Sequence, residues 1–321
     1  MRQAGRYLSE YREVRKRKGG FLEMCYDSDA AAEVSVQPFD FFGMDGVIMF
    51  SDILTPLIPM GMNIEFSPGP IVHNPISARS EIDRLRNYDP SEGVPFVGAI
   101  LGKIKKYLNG RAPVIGFAGA PFTLGVYMVG KEKSETAMGM KRLIYGDPDS
   151  YGTLMEKLTQ MTINYLNYQI ASGAEVIQLF DTWAGNLSKA EFNEYVLPYV
   201  SRIFANLNRK GVPVIYFVNG GSHLLESMNL CGADTIGIDW RTDIEVARSV
   251  INPEFGLQGN LDPAMLFAGQ YMLEEKVCNI LEFFSNKKGF IFNLGHGIHK
   301  ETPRENVKFV VDLVHGFDVR Q

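Results

Sequence analysis

Seven cationic side chains crowd the first 18 residues (Arg2, Arg6, Arg12, Arg15, Lys16, Arg17 and Lys18) against only Glu10 and Glu13. That is a local balance of +5 in a chain of formal charge -5, so the remaining residues carry -10. Such a concentration can serve a nucleic acid, a membrane surface or a pocket for a polyanionic small molecule, or it can be a solvated helix face. Sparse aromatic interleaving and the acidity of the remainder argue against nucleic acid. A second set of reactive side chains stands where apolar runs end: Asp52, Asp181 with Thr182, Asn219 with Gly220, Asp239, Asn260 with Asp262, and His296 between Gly295 and Gly297. Carboxylates can stabilise positive charge or move protons, hydroxyls can orient a ligand, and imidazole changes charge near neutral pH. Each also has a plainer use: Asp181 or Asp262 as a helix cap, the glycines as tight turns.

The elements that would carry these residues follow from the apolar runs. Residues 46–52, 113–121, 175–182, 212–220, 235–240, 255–260 and 289–297 are continuous, β-branched and bounded by Gly, Asp, Asn or Pro, as expected of strands covered on both faces in a parallel sheet. Between them lie helical patterns, notably 150–173, 188–211 and 271–286, with Ser188 before Glu191 as a capping signal and Gly173 and Gly211 as stops. No linker or repeat interrupts the alternation, so residues 1–321 are expected to form one α/β domain, a (β/α)8 barrel. Seven strands are visible where a closed barrel needs eight, which puts the eighth just before Met1. An open doubly wound sheet is the alternative, but no G-x-G-x-x-G turn follows an early strand. In a barrel the strand ends converge on the active site, so the residues named above describe a polar rim.

Composition agrees with a large core: 45% of residues are apolar and 21% charged, which excludes disorder and coiled coil. Cys25, Cys231 and Cys278 lack the spacing of a zinc site or a disulfide framework and suggest a reducing compartment. No stretch of eighteen apolar residues occurs, and the N-terminus lacks the apolar core of a signal peptide, so a soluble, cytoplasmic protein with no membrane partner is expected.

Six ordered segments are more specific: 1–11 (MRQAGRYLSEY), 50–54 (FSDIL), 116–130 (GFAGAPFTLGVYMVG), 180–185 (FDTWAG), 258–263 (QGNLDP) and 293–298 (NLGHGI). From Met1 to about His315 the chain resembles the uroporphyrinogen decarboxylases. The resemblance implies a single (β/α)8 barrel, a homodimer, and removal of carboxyl groups from the four acetate arms of uroporphyrinogen to give coproporphyrinogen, with no metal or other cofactor. It assigns Asp52 to the pyrrole N–H groups and to stabilisation of a cationic intermediate. Arg2, Arg6 and Arg15 then meet substrate carboxylates, for which the ever-charged guanidinium fork is suited, with Arg2 a candidate proton donor. Tyr127 and Thr182 orient a substrate carboxylate, or the carboxylate of Asp52, through their hydroxyls, and His296 binds a propionate or relays a proton. His73, His223, His299 and His315 belong to no motif and read as structural or surface residues. No contact is assigned to 219–225 beyond a backbone role for Gly220 and Gly221.

The same resemblance implies an apolar strand ending at Met1, so roughly 15 to 35 further residues, including a strand of about five, are expected before it. Two other functions compete. A corrinoid-linked methyltransferase of this barrel type would bind zinc through a His-x-Cys pair and a later Cys, and no such pair occurs. A tetrapyrrole-binding protein without activity would have little reason to keep Asp52.

Overall fold

Continuous apolar runs bury on both faces only if helices cover the sheet, and the chain builds that arrangement in order. In the computed structural model the described residues are 3–67, 69–129, 137–284 and 289–317. Three helices come first: α1 (Ser9–Lys18), α2 (Phe21–Tyr26) and α3 (Ser28–Phe42). Asp27 caps α3 by accepting the backbone N–H groups of Asp29 and Ala30. The strands are β1 (Val47–Ile48), β2 (Ile64–Phe66), β3 (Pro70–Val72), β4 (Val114–Gly119), β5 (Val176–Asp181), β6 (Val214–Val218), β7 (Thr235–Gly237), β8 (Gly256–Leu261) and β9 (Phe290–Leu294).

All seven strands expected from the sequence form, and they pair in parallel in the order β1-β4-β5-β6-β7-β8-β9. The sheet curls, so that residues following the first and last strands border one cavity. It is a half-barrel of the TIM type, with seven strands among the described residues. Helices bring its two ends together: Arg304, at the start of the helix Arg304–Gly316, donates to Glu10 at 2.8 Å and lies 4.4 Å from the Phe41 ring centroid. The short β2–β3 pair is an antiparallel hairpin beside the sheet that the sequence reading missed.

Side-chain amides complete the sheet where strands are short. Gln3 donates to the Gly46 carbonyl at 2.8 Å and accepts the Ile48 N–H at 3.0 Å, the two bonds a neighbouring strand would make to β1. Gln169, fully buried on the helix Pro148–Ala171, does the same for β4, accepting the Phe117 N–H and donating to its carbonyl, both at 2.8 Å. A Cβ on Gly116 would sit 2.4 Å from that Gln169 oxygen, so only glycine leaves room. Backbone polar groups buried without partners are costly, so these amides have structural work to do.

The helix expected over 188–211 is instead two. Lys189–Tyr195 begins with the expected capping box, Ser188 accepting the Glu191 N–H at 3.2 Å while Glu191 accepts that of Ser188 at 2.6 Å. The chain leaves helical geometry at Val196 and resumes over Leu197–Ala205, because Pro198 has no N–H to continue the ladder. Gly211 is therefore not a helix stop, although its φ of 86° marks a turn. Gly173, at φ 109°, does follow a helix end.

Candidate active site

The ends of β1, β4, β5, β6 and β9 close around a cavity of about 840 Å³. Its floor is a row of rings, Phe117 from β4, Phe180 from β5 and Phe217 from β6, meeting edge to face at centroid distances of 5.9 and 6.1 Å. Phe180 lies directly opposite Phe217 in the parallel register. Such contacts favour fixed relative orientations, and three of them give a rigid apolar base. The hairpin supplies one wall through Phe66, whose ring centroid is 4.8 Å from that of Phe21.

Six residues singled out in the sequence, Arg6, Arg15, Asp52, Tyr127, Thr182 and His296, line this one cavity although they come from five separate segments. Arg2 lies outside the described residues. Asp52 follows β1 in a turn anchored from below: buried Ser35 of α3 accepts the Phe50 N–H at 2.8 Å and donates to the Ala31 carbonyl at 2.6 Å. The Asp52 Oδ1 accepts the Leu54 N–H at 2.9 Å, and the Thr55 hydroxyl donates to the Asp52 carbonyl at 2.9 Å. Its turn-forming and cavity-facing uses thus coexist, one carboxylate oxygen being fixed by backbone. Below it, burial first and the Asp52 charge second hold the Cys25 thiol protonated, well above the usual thiol range.

Arg15 projects from α1 beside Arg6, and among the described residues neither guanidinium pairs with a carboxylate. The Arg6 loop is held instead through its backbone, the Arg12 guanidinium donating to the Arg6 carbonyl at 2.6 Å. Tyr127 ends the helix Pro121–Met128 and meets the Trp183 ring at 6.1 Å. His296 is exposed at the mouth and meets the Trp240 ring at 6.0 Å. Trp240 in turn carries Arg241, whose guanidinium carbon is 4.5 Å from the ring centroid. Gly295 permits this turn, since a Cβ there would lie 2.2 Å from the Trp240 nitrogen.

The other strand-end residues are structural. Asp181 is closed to solvent, accepts the Thr123 hydroxyl at 2.6 Å and the Tyr216 hydroxyl at 2.9 Å, and does not cap a helix. Burial raises its pKa to about 6 against the opposing effect of those bonds. Thr123 also accepts the Trp183 N–H at 3.1 Å, so the network fixes the segment carrying Thr182 and Trp183. Asp239 binds the Gly220 N–H and the Arg241 guanidinium, and Arg241 reaches Asn219 at 2.6 Å. Asn260 donates to the Asp239 and Thr242 carbonyls, and Asp262 caps the turn at Pro263. His223 meets the Leu187 carbonyl, His73 meets Glu65 and His315 meets Asp45, in keeping with structural or surface roles. His299 is exposed as well, and with Lys300 it borders the cavity mouth. No group of three or more His, Cys, Asp or Glu among the described residues is arranged to hold a metal ion.

A curled parallel sheet with helices outside, and strand ends closing round a cavity that carries, among the described residues, guanidinium groups and one carboxylate over aromatic rings, defines an α/β-barrel enzyme with a site for an anion. The family model described as uroporphyrinogen decarboxylase (URO-D) matches residues 1–317, and the chain belongs to that family. It is 47% identical over 320 residues to a uroporphyrinogen decarboxylase of Trichlorobacter lovleyi, covering 100% of this chain and 94% of the relative. It is 48% identical over 314 residues to one of Pelobacter propionicus, covering 98% and 92%. Among solved structures, a methyltransferase from Methanosarcina mazei superimposes with a TM-score of 0.80 over 94% of this chain and 89% of its own, at 19% identity, a likeness of fold alone.

Proposed function

We infer that this chain is a uroporphyrinogen decarboxylase, converting the four acetate arms of uroporphyrinogen to methyl groups and yielding coproporphyrinogen and CO2. The observation that carries the reading beyond family membership is Asp52, the one carboxylate among the described residues lining a cavity that it shares with Arg6 and Arg15 above three phenylalanine rings.

The chemistry needs an electron sink, which the substrate provides. A proton adds to the pyrrole carbon next to the one bearing the acetate, leaving the ring cationic. The bond to the carboxylate carbon breaks, its electron pair neutralises the ring, and CO2 departs. A proton then adds to the exocyclic methylene as the extra ring proton leaves, so each turnover takes up one proton per CO2. Asp52, fixed at one oxygen by the Leu54 N–H, accepts pyrrole N–H bonds and stabilises the cation in surroundings of low polarity. Arg6 and Arg15, with Arg2, hold the carboxylates of the remaining arms, and Tyr127 and Thr182 orient the reacting one. His296 at the mouth binds a propionate or passes protons. Guanidinium is a reluctant acid, so Arg2 is a binding group first and a proton donor second. The reading calls on no metal or organic cofactor. A homodimer and a cytoplasmic setting come with it from the family resemblance; none of the described helices is long and apolar enough to cross a membrane.

The test is anaerobic incubation with uroporphyrinogen, oxidation, and separation of the porphyrins by carboxyl number. A ladder from eight carboxyls to four is expected, and unchanged substrate would remove the reading.

A further inference from the structure

Beside the catalytic cavity runs a second groove of about 710 Å³, bordered by Arg6, Arg12, Arg15 and Lys16 and sharing Arg6, Arg15, Phe21 and Phe66 with the cavity. The two adjoin at these four residues, and Asp52, Tyr127, Thr182 and His296 border only the cavity. Arg12, Arg15 and Lys16 stand at i, i+3 and i+4 on one face of α1. Like charges so spaced repel each other and destabilise the helix unless an anion lies between them.

The rest of α1 shows how this protein treats cations it does not need for a ligand. Arg17 pairs with Glu33, Lys18 with Asp27, and Glu10 receives Arg304 from the far end of the chain. Among the described residues, Arg6, Arg15 and Lys16 on the groove side have no such partner, and the guanidinium of Arg12 has only the Arg6 carbonyl. Of the two carboxylates bordering the groove, Glu65 is engaged by His73 at 3.0 Å, and Glu23 folds back over Gly20. Among the described residues the groove cations outnumber the two carboxylates beside them and form no ion pair, whereas Arg17, Lys18 and Arg304 each have a carboxylate partner.

We propose that this groove is an outer carboxylate-binding subsite, which holds the acid arms projecting from the cavity while a polycarboxylate tetrapyrrole is turned between successive decarboxylations. The proposal rests on the functional reading above. One reacting centre must receive each acetate in turn, so the ring system must be released and reseated repeatedly. A rim of charge continuous with the cavity keeps it from diffusing away, because exposed cations attract a polyanion at modest ionic strength.

The experiment titrates the full chain with uroporphyrin, the stable oxidised octacarboxylate, following its fluorescence at low and high salt. Lys16→Gln and Arg17→Gln change the net charge equally, but only Lys16 borders the groove. Lys16→Gln is expected to weaken binding about two- to fivefold at low salt, the worth of one exposed ion contact, while Arg17→Gln does not. The difference should close as salt rises. During turnover Lys16→Gln should also release more of the seven-, six- and five-carboxyl intermediates. Arg12→Lys, which keeps the charge, should bind more nearly as wild type than Arg12→Gln. Equal binding by Lys16→Gln and wild type, or equal weakening by Lys16→Gln and Arg17→Gln, would overturn the proposal. Lys16-dependent binding in a wild-type protein that decarboxylates nothing would leave the groove standing and remove the function.

Discussion

The Thr123 hydroxyl donates to the Asp181 carboxylate at 2.6 Å in a site closed to solvent, one residue before Thr182 meets the cavity. Burial lifts the Asp181 pKa to about 6, from 3.8 for an unperturbed group. Between those values the folded protein binds a proton that the unfolded chain has released, so this group favours folding below about pH 4 and loses that contribution as pH rises through 6. Asp181→Asn removes the ionisation and keeps an acceptor for Thr123. The stability of the variant relative to wild type should therefore improve from pH 4 to 7, by on the order of 3 kcal/mol. Urea unfolding of both proteins across that range tests it, and parallel stability curves would contradict the account.

Two glycines should respond in opposite directions to the same methyl group. At Gly295 a Cβ would press on the Trp240 backbone at 2.2 Å, so Gly295→Ala must displace the turn bearing His296, costing about 1–3 kcal/mol. Gly102, exposed within the helix Pro95–Leu108, has nothing within 4 Å of a Cβ, and Gly102→Ala should stabilise by about 0.5–1 kcal/mol. Thermal unfolding of the pair checks both signs.

Arg15 and Arg6 have no carboxylate partner among the described residues, so removing one guanidinium should affect the substrate rather than the fold. Arg15→Gln is expected to stay within about 0.5 kcal/mol of wild-type stability. Its KM for uroporphyrinogen should rise about tenfold or more, the worth of a hydrogen bond to a charged group. A large loss of stability with an unchanged KM would assign Arg15 to the scaffold.

Much of this architecture is legible in residue order because a parallel sheet covered on both faces writes its strands as continuous apolar runs, and because a barrel puts their ends together. Asp52, Thr182 and His296 could be placed at one rim for that reason, while Tyr127 and the arginines needed the family motifs. Features set by distant pairings were not legible. The Phe117, Phe180 and Phe217 row depends on strand register, and the Gln3 and Gln169 amides act on strands more than forty residues away. Asp181 reads as a helix cap until Thr123 and Tyr216 are seen to close over it. Two misses had local signals: Pro198 forbids one helix over 188–211, and Gly69 between the alternating Ile64-Glu65-Phe66 and the apolar Pro70-Ile71-Val72 marks the hairpin.

The most direct measurement of the central claim is the initial rate of carboxyl loss from uroporphyrinogen by Asp52→Asn beside wild type. Asparagine is nearly isosteric and can still accept the Leu54 N–H, so the variant should fold and unfold as wild type does. The cationic intermediate would then face a dipole in place of a full charge, and losing one preorganised stabilising group costs about 10²- to 10³-fold in turnover. A loss of at least that size, with unchanged thermal unfolding, is expected. A folded Asp52→Asn protein that decarboxylates at close to the wild-type rate would contradict the assignment of Asp52 as the group that stabilises the reacting pyrrole.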